Sequence, residues 1–375
     1  MLTLVLIVVL VALIFEYVNG FHDTANSIAT VVATKVLSPA QAIAMAAGTN
    51  LIGALWGTAV AKTIASGLID AGVVDVGAQL ILCALLGAVI WNLITWWLGL
   101  PSSSSHALIG GLVGAAFAAA SNDFGAIIWS EPADPWYKSA GVLWKVIVPM
   151  VSSPILGFTA GFLLMGVLFA IISAMARSGG FLARMARPRW VNGFFGKTQI
   201  LSAGYMGFAH GMNDAQKTMG IIALLLVSAQ SNGVLDDLPG FLAFLLPSDT
   251  ALANGDIDLW IKLTCAVVMA AGTAAGGWRI IKTLGHKLVK LHPIHGFAAE
   301  ASAASVITLA SSLGIPVSTT HNISSAIMGV GTAKRFNAIK WTVVEKMIWA
   351  WILTIPLAGG LAYGLFRLLA AMGWV

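Results

Sequence analysis

Two matched stretches set carboxylates, amides and an ammonium within long apolar runs: Gly20-Phe21-His22-Asp23-Thr24-Ala25-Asn26 and Gly211-Met212-Asn213-Asp214-Ala215-Gln216-Lys217. Asp23 and Asn26 present a carboxylate and an amide oxygen at i and i+3, hence on one helix face. Asn213 and Asp214 offer the same groups in the second stretch. Such oxygen donors coordinate hard cations such as sodium, and a helix–helix hydrogen-bond pair would use the same residues. His22 is either a proton carrier, because imidazole titrates near neutrality, or a satisfied hydrogen-bonder. Gln216, Lys217 and Glu300, the last in Gly296-Phe297-Ala298-Ala299-Glu300, are further candidates for coupling or gating. Glu16, one to two helical turns before Asp23, is a site residue or an interfacial partner.

A second matched pair is rich in hydroxyls: Pro101-Ser102-Ser103-Ser104-Ser105-His106 and Pro316-Val317-Ser318-Thr319-Thr320-His321. Each follows a glycine that can end a helix, Gly99 or Gly314, and each opens a short apolar segment. Proline suits the first turn of a helix, and Ser or Thr suit its cap. A helix start exposes free backbone N–H groups and a positive dipole end, which favour an anion. The hydroxyls of Ser103, Ser104, Ser105, Ser318, Thr319 and Thr320 add neutral donors, so two such starts could hold a tetrahedral oxyanion without a permanent cation. Plain capping of two helices would use the same residues, but two copies in register favour a shared site. A Ser–His hydrolase would need a third orienting group, which the motif lacks. His292 and His295 have metal-ligand spacing but lie in a basic loop and read as a solvated turn; no resident metal or cofactor is expected. Cys83 and Cys265 stand alone in separate apolar runs and suggest no disulfide.

The elements that must carry these groups are membrane helices. Of 375 residues 58% are hydrophobic and 9% charged, too little polar surface for a soluble chain of this length. Apolar runs recur along the chain without strand-like alternation, which predicts an all-α polytopic membrane protein. The first run, ending at Phe15, has no basic leading region or cleavage site and reads as a retained span. The runs at 2–34 and 198–229 carry polar, glycine-containing centres and are expected to be broken helices. Those at 107–120 and 318–333 are short and read as re-entrant hairpins.

Charge sorts the loops. Residues 175–197 carry Arg177, Arg184, Arg187, Arg189 and Lys197 without an acid, and 334–346 are basic too. Residues 230–258 carry Asp236, Asp237, Asp249, Asp256 and Asp258 without a base, and 121–139 are acidic. The positive-inside rule makes the basic loops cytoplasmic and, by counting crossings, both termini external. The net charge of +5 thus describes cytoplasmic rims, not a nucleic-acid surface. The acidic loop after the first hydroxyl motif and the basic loop after the second fall on opposite sides. Together with the repeat of Met45-Ala46-Ala47-Gly48-Thr49 as Met269-Ala270-Ala271-Gly272-Thr273, this predicts two inverted-topology repeats. They span 1–174 and 198–375, joined by a basic cytoplasmic linker at 175–197. Their polar motifs would meet at the bilayer midplane, where secondary transporters place substrate and coupling-ion sites.

Over essentially its whole length the chain resembles the inorganic phosphate transporter (PiT) family. The likeness rests on both Asp stretches, both Pro-x-Ser/Thr-Ser/Thr-Ser/Thr-His motifs, and Trp278 to Gly285 followed by Gly296-Phe297-x-x-Glu300. It implies cation-coupled uptake of inorganic phosphate across the plasma membrane, usually by a homodimer. Phosphate would be held at 103–105 and 318–320, and coupling cations around Asp23, Asn26, Asn213 and Asp214. Sodium-coupled members carry Asn-Asp-x-Ala-Asn in both halves. Here His22 replaces the first Asn, Gln216-Lys217 replaces the second Ala-Asn, and Lys62 stands where many relatives have an acid. The Gly-x-Asn-Asp-Ala-Gln-Lys form is similar to the bacterial low-affinity branch of the inner membrane, whose members move a neutral metal–phosphate complex with protons. The coupling ion, H+ or Na+, stays open. A sulfate permease of the same family is the nearest rival, and a passive anion channel a more distant one.

Overall fold

In lipid every backbone polar group must find a partner within the protein, which leaves apolar runs without strand-like alternation the helix. The computed structural model describes residues 1–66, 68–70 and 72–374, and among these it holds helices and two isolated β-bridges but no strand. The helices are α1 (Leu2–Ala33), α2 (Pro39–Ala54), α3 (Ala59–Ser66), α4 (Ala78–Leu98), α5 (Ser104–Ala119), α6 (Val148–Arg177) and α7 (Gly180–Met185). They continue as α8 (Pro188–Ser231), α9 (Asp249–Asn254), α10 (Leu259–Ala275), α11 (Trp278–Lys282), α12 (Pro293–Ser312), α13 (Thr319–Lys334) and α14 (Trp341–Ala371). Among the described residues α1, α4, the stretch Leu143–Arg177 and α14 are long and apolar enough to cross a membrane. Their outward faces are apolar, as with Val151, Ile155, Leu163 and Val167 along α6, so lipid rather than water suits them.

The halves interlock. Helix α1 packs on α10 and α8 on α2; α13 packs on α6 and α14 on α5; α4 lies against α1 and α12 against α8. This pattern is unchanged when α1, α2, α4, α5 and α6 are exchanged for α8, α10, α12, α13 and α14. The equivalent helices α1 and α8 run antiparallel, since Glu16 meets Thr218 at one end and Thr34 meets Gln199 at the other. An inverted relation between halves requires that sense.

Two expectations are corrected. Neither α1 nor α8 breaks at its polar cluster: both continue as α-helix through Gly20–Asn26 and Gly211–Lys217. The glycines act as contact points instead. A Cβ on Gly20 would run into the backbone of Met269 on α10, and one on Gly211 into that of Asn50 on α2. The polar side chains find partners on neighbouring helices, so the backbone need not unwind to supply carbonyls. Residues 175–197 are likewise mostly helical rather than a loop, because α6, α7 and α8 occupy them nearly end to end. At 44 residues α8 is about 66 Å long against ~30 Å of hydrocarbon, so its basic first turns stand clear of the apolar layer.

Candidate functional site

Both hydroxyl motifs fold by the same local chemistry. Gly99 takes a left-handed φ of 67° and closes α4, with Leu100 N–H donating to Thr95 O at 2.9 Å. Gly314, at φ 69°, closes α12 in the same way, with Ile315 N–H donating to Ala310 O at 2.9 Å. A proline follows each, and then the cap: Ser103 Oγ accepts from His106 N–H at 3.2 Å, and Ser318 Oγ accepts from His321 N–H at 3.2 Å. The first hydroxyl of each triplet is therefore an N-cap. First-turn amides have no intrahelical acceptor, so those of Ser104, Ser105, Thr319 and Thr320 remain available as donors at the two helix starts. The rings of His106 and His321 touch edge to face with centroids 4.7 Å apart, joining the two motifs.

The remaining hydroxyls face the acids. Ser104 Oγ donates to Asp23 Oδ2 at 2.8 Å, and Thr319 Oγ1 donates to Asp214 Oδ2 at 2.7 Å. The next hydroxyl in each motif crosses to the other half. Asn26 Nδ2 donates to Thr320 Oγ1 at 2.9 Å, while Lys217 Nζ donates to Ser105 Oγ at 2.5 Å. Asn26 and Lys217 hold matching places in the repeat, so one geometry carries an amide in one half and an ammonium in the other. Lys217 also pairs with Asp214 Oδ1 and donates to Val317 O at 3.2 Å. All eight of these side chains are at most 5% exposed.

The other candidates scatter. His22 joins the cluster from its edge, with Nδ1 2.7 Å from Asp23 Oδ1 and Nε2 3.1 Å from Thr95 Oγ1. Asn213 Nδ2 donates to Val317 O at 2.8 Å and braces the second motif. Gln216 turns away: its Oε1 accepts from Val60 N–H at 2.8 Å, capping α3. Glu300 lies apart, where Thr30, Ser202 and Gln199 donate to its carboxylate and tie α12 to α1 and α8. Thr30 is two turns beyond Asp23 on α1, about 10 Å along the axis. Glu16 occupies the matching distance on the other side and accepts from Thr218. His292 and His295 form a helix start, His295 Nδ1 accepting from His292 N–H at 3.0 Å.

Two further participants lie outside the candidate residues that the sequence offers. Asn19 Oδ1 accepts from Ser104 Oγ at 2.7 Å, and His210 Nε2 lies 3.0 Å from Asp214 Oδ2. One oxygen or nitrogen from each of Asp23, His210 and Asp214 falls within 4.8 Å of the others. The repeat contained the signal, because extending the alignment of Gly20 with Gly211 back by one residue pairs Asn19 with His210.

A helical membrane fold built around a buried, duplicated set of carboxylates, amides and helix-start hydroxyls defines a solute transporter of repeat architecture. Residues 19–362 match the phosphate transporter family, and the chain belongs to that family. It is 39% identical over 372 residues to the "probable low-affinity inorganic phosphate transporter" of Bacillus subtilis (strain 168), covering 98% of this chain and 99% of that one. A protein of the same description from Rhizobium meliloti (strain 1021) is 42% identical over 349 residues, covering 93% and 91%. Among solved structures, one described as "the sodium-dependent phosphate transporter" superposes with a TM-score of 0.77 over 99% of this chain and 100% of that one. At 22% identity that likeness speaks for the fold alone. Family membership sets the intramembrane hydrolase reading aside.

Proposed function

We propose that this protein imports inorganic phosphate as a cation-coupled symporter of the bacterial inner membrane. The observation that carries the reading is the meeting of two hydroxyl-bearing helix starts over Asp23 and Asp214. In the arrangement described, the hydroxyls of Ser104 and Thr319 donate to carboxylates. A phosphate entering there takes over such donors, and its own remaining proton can be given to a carboxylate. Sulfate is fully ionised and has no proton to give, so the acids favour phosphate. Both termini lie outside, the halves 1–174 and 198–375 are inverted repeats, and the working unit is a homodimer.

Charge accounting favours a metal–phosphate cargo with a proton over a sodium-only cycle. Asp23, Asp214 and Lys217 carry a formal net charge of −1. A divalent metal, one phosphate dianion and one proton bring +1, so the loaded site is neutral. One net inward charge is worth ~2.3 kcal/mol per 100 mV, roughly a 45-fold concentration ratio from the electrical term. Without Lys217 the same cycle would need a further cation. Purified protein in liposomes under an inside-negative potential of about 100 mV is therefore expected to accumulate labelled phosphate when a divalent metal such as Mn2+ is present. Arsenate should compete and sulfate should not. Competition by sulfate would make the protein a sulfate permease, and equilibration without accumulation would make it a passive channel.

A further inference from the structure

His210 is held in a way that neither the hydroxyl motifs nor the Asp–Lys pair explains. Its side chain is fully buried, and its Nδ1 lies 3.1 Å from Asn50 Oδ1. The orientation of Asn50 is fixed from the far side, because its Nδ2 donates to Thr273 Oγ1 at 2.9 Å. The oxygen of Asn50 is thus turned to His210, and an amide oxygen only accepts, so Nδ1 carries the hydrogen. In the neutral ring Nε2 then presents a lone pair. It points at Asp214 Oδ2 from 3.0 Å and makes no hydrogen bond of acceptable geometry. Two acceptors facing each other at that distance in a buried site call for a positive species between them, either a proton on Nε2 or a bound metal ion.

The surroundings say which species fits. Asp23 brings a second carboxylate within 4.8 Å of both groups. Lys217 occupies the other oxygen of Asp214, leaving Oδ2 to His210 and the Thr319 hydroxyl. An imidazole whose far nitrogen is anchored by an amide oxygen, itself anchored by a threonine, is the supporting arrangement that metal-bound histidines use. Sodium prefers an all-oxygen set, whereas one imidazole with two carboxylates suits divalent first-row ions. The first half lacks this feature, since Asn19 stands in place of His210 and accepts from Ser104 instead.

We infer that Asp23, His210 and Asp214 seat the divalent metal ion that enters with phosphate, and that His210 selects such an ion over sodium. This rests on the reading of the protein as a metal–phosphate importer. The hydroxyl motifs would then hold the phosphate beside the metal, whose open coordination positions its oxygens fill.

The test uses full-length protein in lipid nanodiscs with Mn2+ as the probe, read by pulsed electron paramagnetic resonance. One bound Mn2+ per chain with an imidazole nitrogen coupling is expected, and added phosphate should introduce a phosphorus coupling. His210→Asn should abolish the nitrogen coupling. Asn50→Ala, which removes only the support, should keep the coupling and weaken Mn2+ binding ~10-fold or more. The inference is overturned if wild type binds Mn2+ without nitrogen coupling, binds none at saturating concentration, or retains the coupling in His210→Asn. The last outcome, combined with loss of coupling in His22→Asn, would move the site to the other histidine. Phosphate uptake by the same preparation in liposomes separates the two readings. Uptake without nitrogen-bound Mn2+ refutes the metal seat alone, and no uptake refutes the transport reading.

Discussion

Lys217 occupies the place that Asn26 holds in the first half, and this substitution sets the charge balance of the cluster. Its ammonium pairs with Asp214, and both side chains are buried. Removing one partner of a buried pair strands the other, at a cost of ~3–5 kcal/mol. Asp214→Asn should therefore lower the thermal unfolding midpoint in detergent far more than Asp23→Asn, which strands no ammonium. The double variant Asp214→Asn with Lys217→Asn should recover most of the loss. Equal midpoints for the two single variants would refute the buried pair. Lys217→Asn alone leaves Asp214 with His210, Thr319 and Asn213 as neighbours. We expect its uptake to become more responsive to sodium; unchanged cation dependence in proteoliposomes would count against Lys217 replacing a cation. At this scale the sequence named most of the cluster. His210 lies one residue before the glycine that opens the second motif, and Gln216, although inside that motif, turns its side chain to cap α3.

At the scale of elements, what matters is how closely backbones approach. Polar residues in the middle of a membrane helix favour unwinding, yet α1 and α8 stay whole because Gly20 and Gly211 let α10 and α2 come close enough to satisfy the side chains. Gly20→Ala and Gly211→Ala would each put a methyl against a carbonyl of the crossing helix. Overpacking of that kind costs ~1–3 kcal/mol. Gly166 and Gly193 also lie within helices but have open space where a Cβ would go. Alanine there should be neutral or stabilising, by up to ~1 kcal/mol from helix propensity. Thermal unfolding of the four variants checks this, and similar losses at all four positions would refute the crossing argument. The hydroxyl motifs, by contrast, were legible as helix starts. Glycine, proline and a capping hydroxyl are local signals, and local signals survive without tertiary context.

For the whole molecule, the exchange symmetry of the helix pairs and the antiparallel run of α1 and α8 lead to a test of sidedness. Ser130 follows α5 in the first half and Asn337 follows α13 in the second, and both are exposed. If the halves are inverted, cysteines at these positions should react with an impermeant maleimide from opposite faces of the membrane: Ser130→Cys from outside, Asn337→Cys from the cytoplasm. Cys83 and Cys265 are fully buried and can be replaced by alanine beforehand. Labelling of both new cysteines from one face would exclude the inverted arrangement. The interlocking of halves also argues that neither folds by itself, because α5 finds its packing partner in α14 and α13 finds its partner in α6.

The sequence by itself determined the helical membrane class, the duplication, the capped hydroxyl motifs and the family, because hydropathy, charge sorting and capping are written in neighbouring residues. The tertiary structure alone decided the pairings: Ser104 with Asp23, Thr319 with Asp214, and the crossing of Ser105 to Lys217 and Thr320 to Asn26. Spacing along a helix fixes which face a side chain takes, but not which helix will stand opposite. That depends on glycine-mediated approaches between segments distant in the chain, and His210 acquires its lone-pair contact with Asp214 only once Asn50 has been brought to its other side.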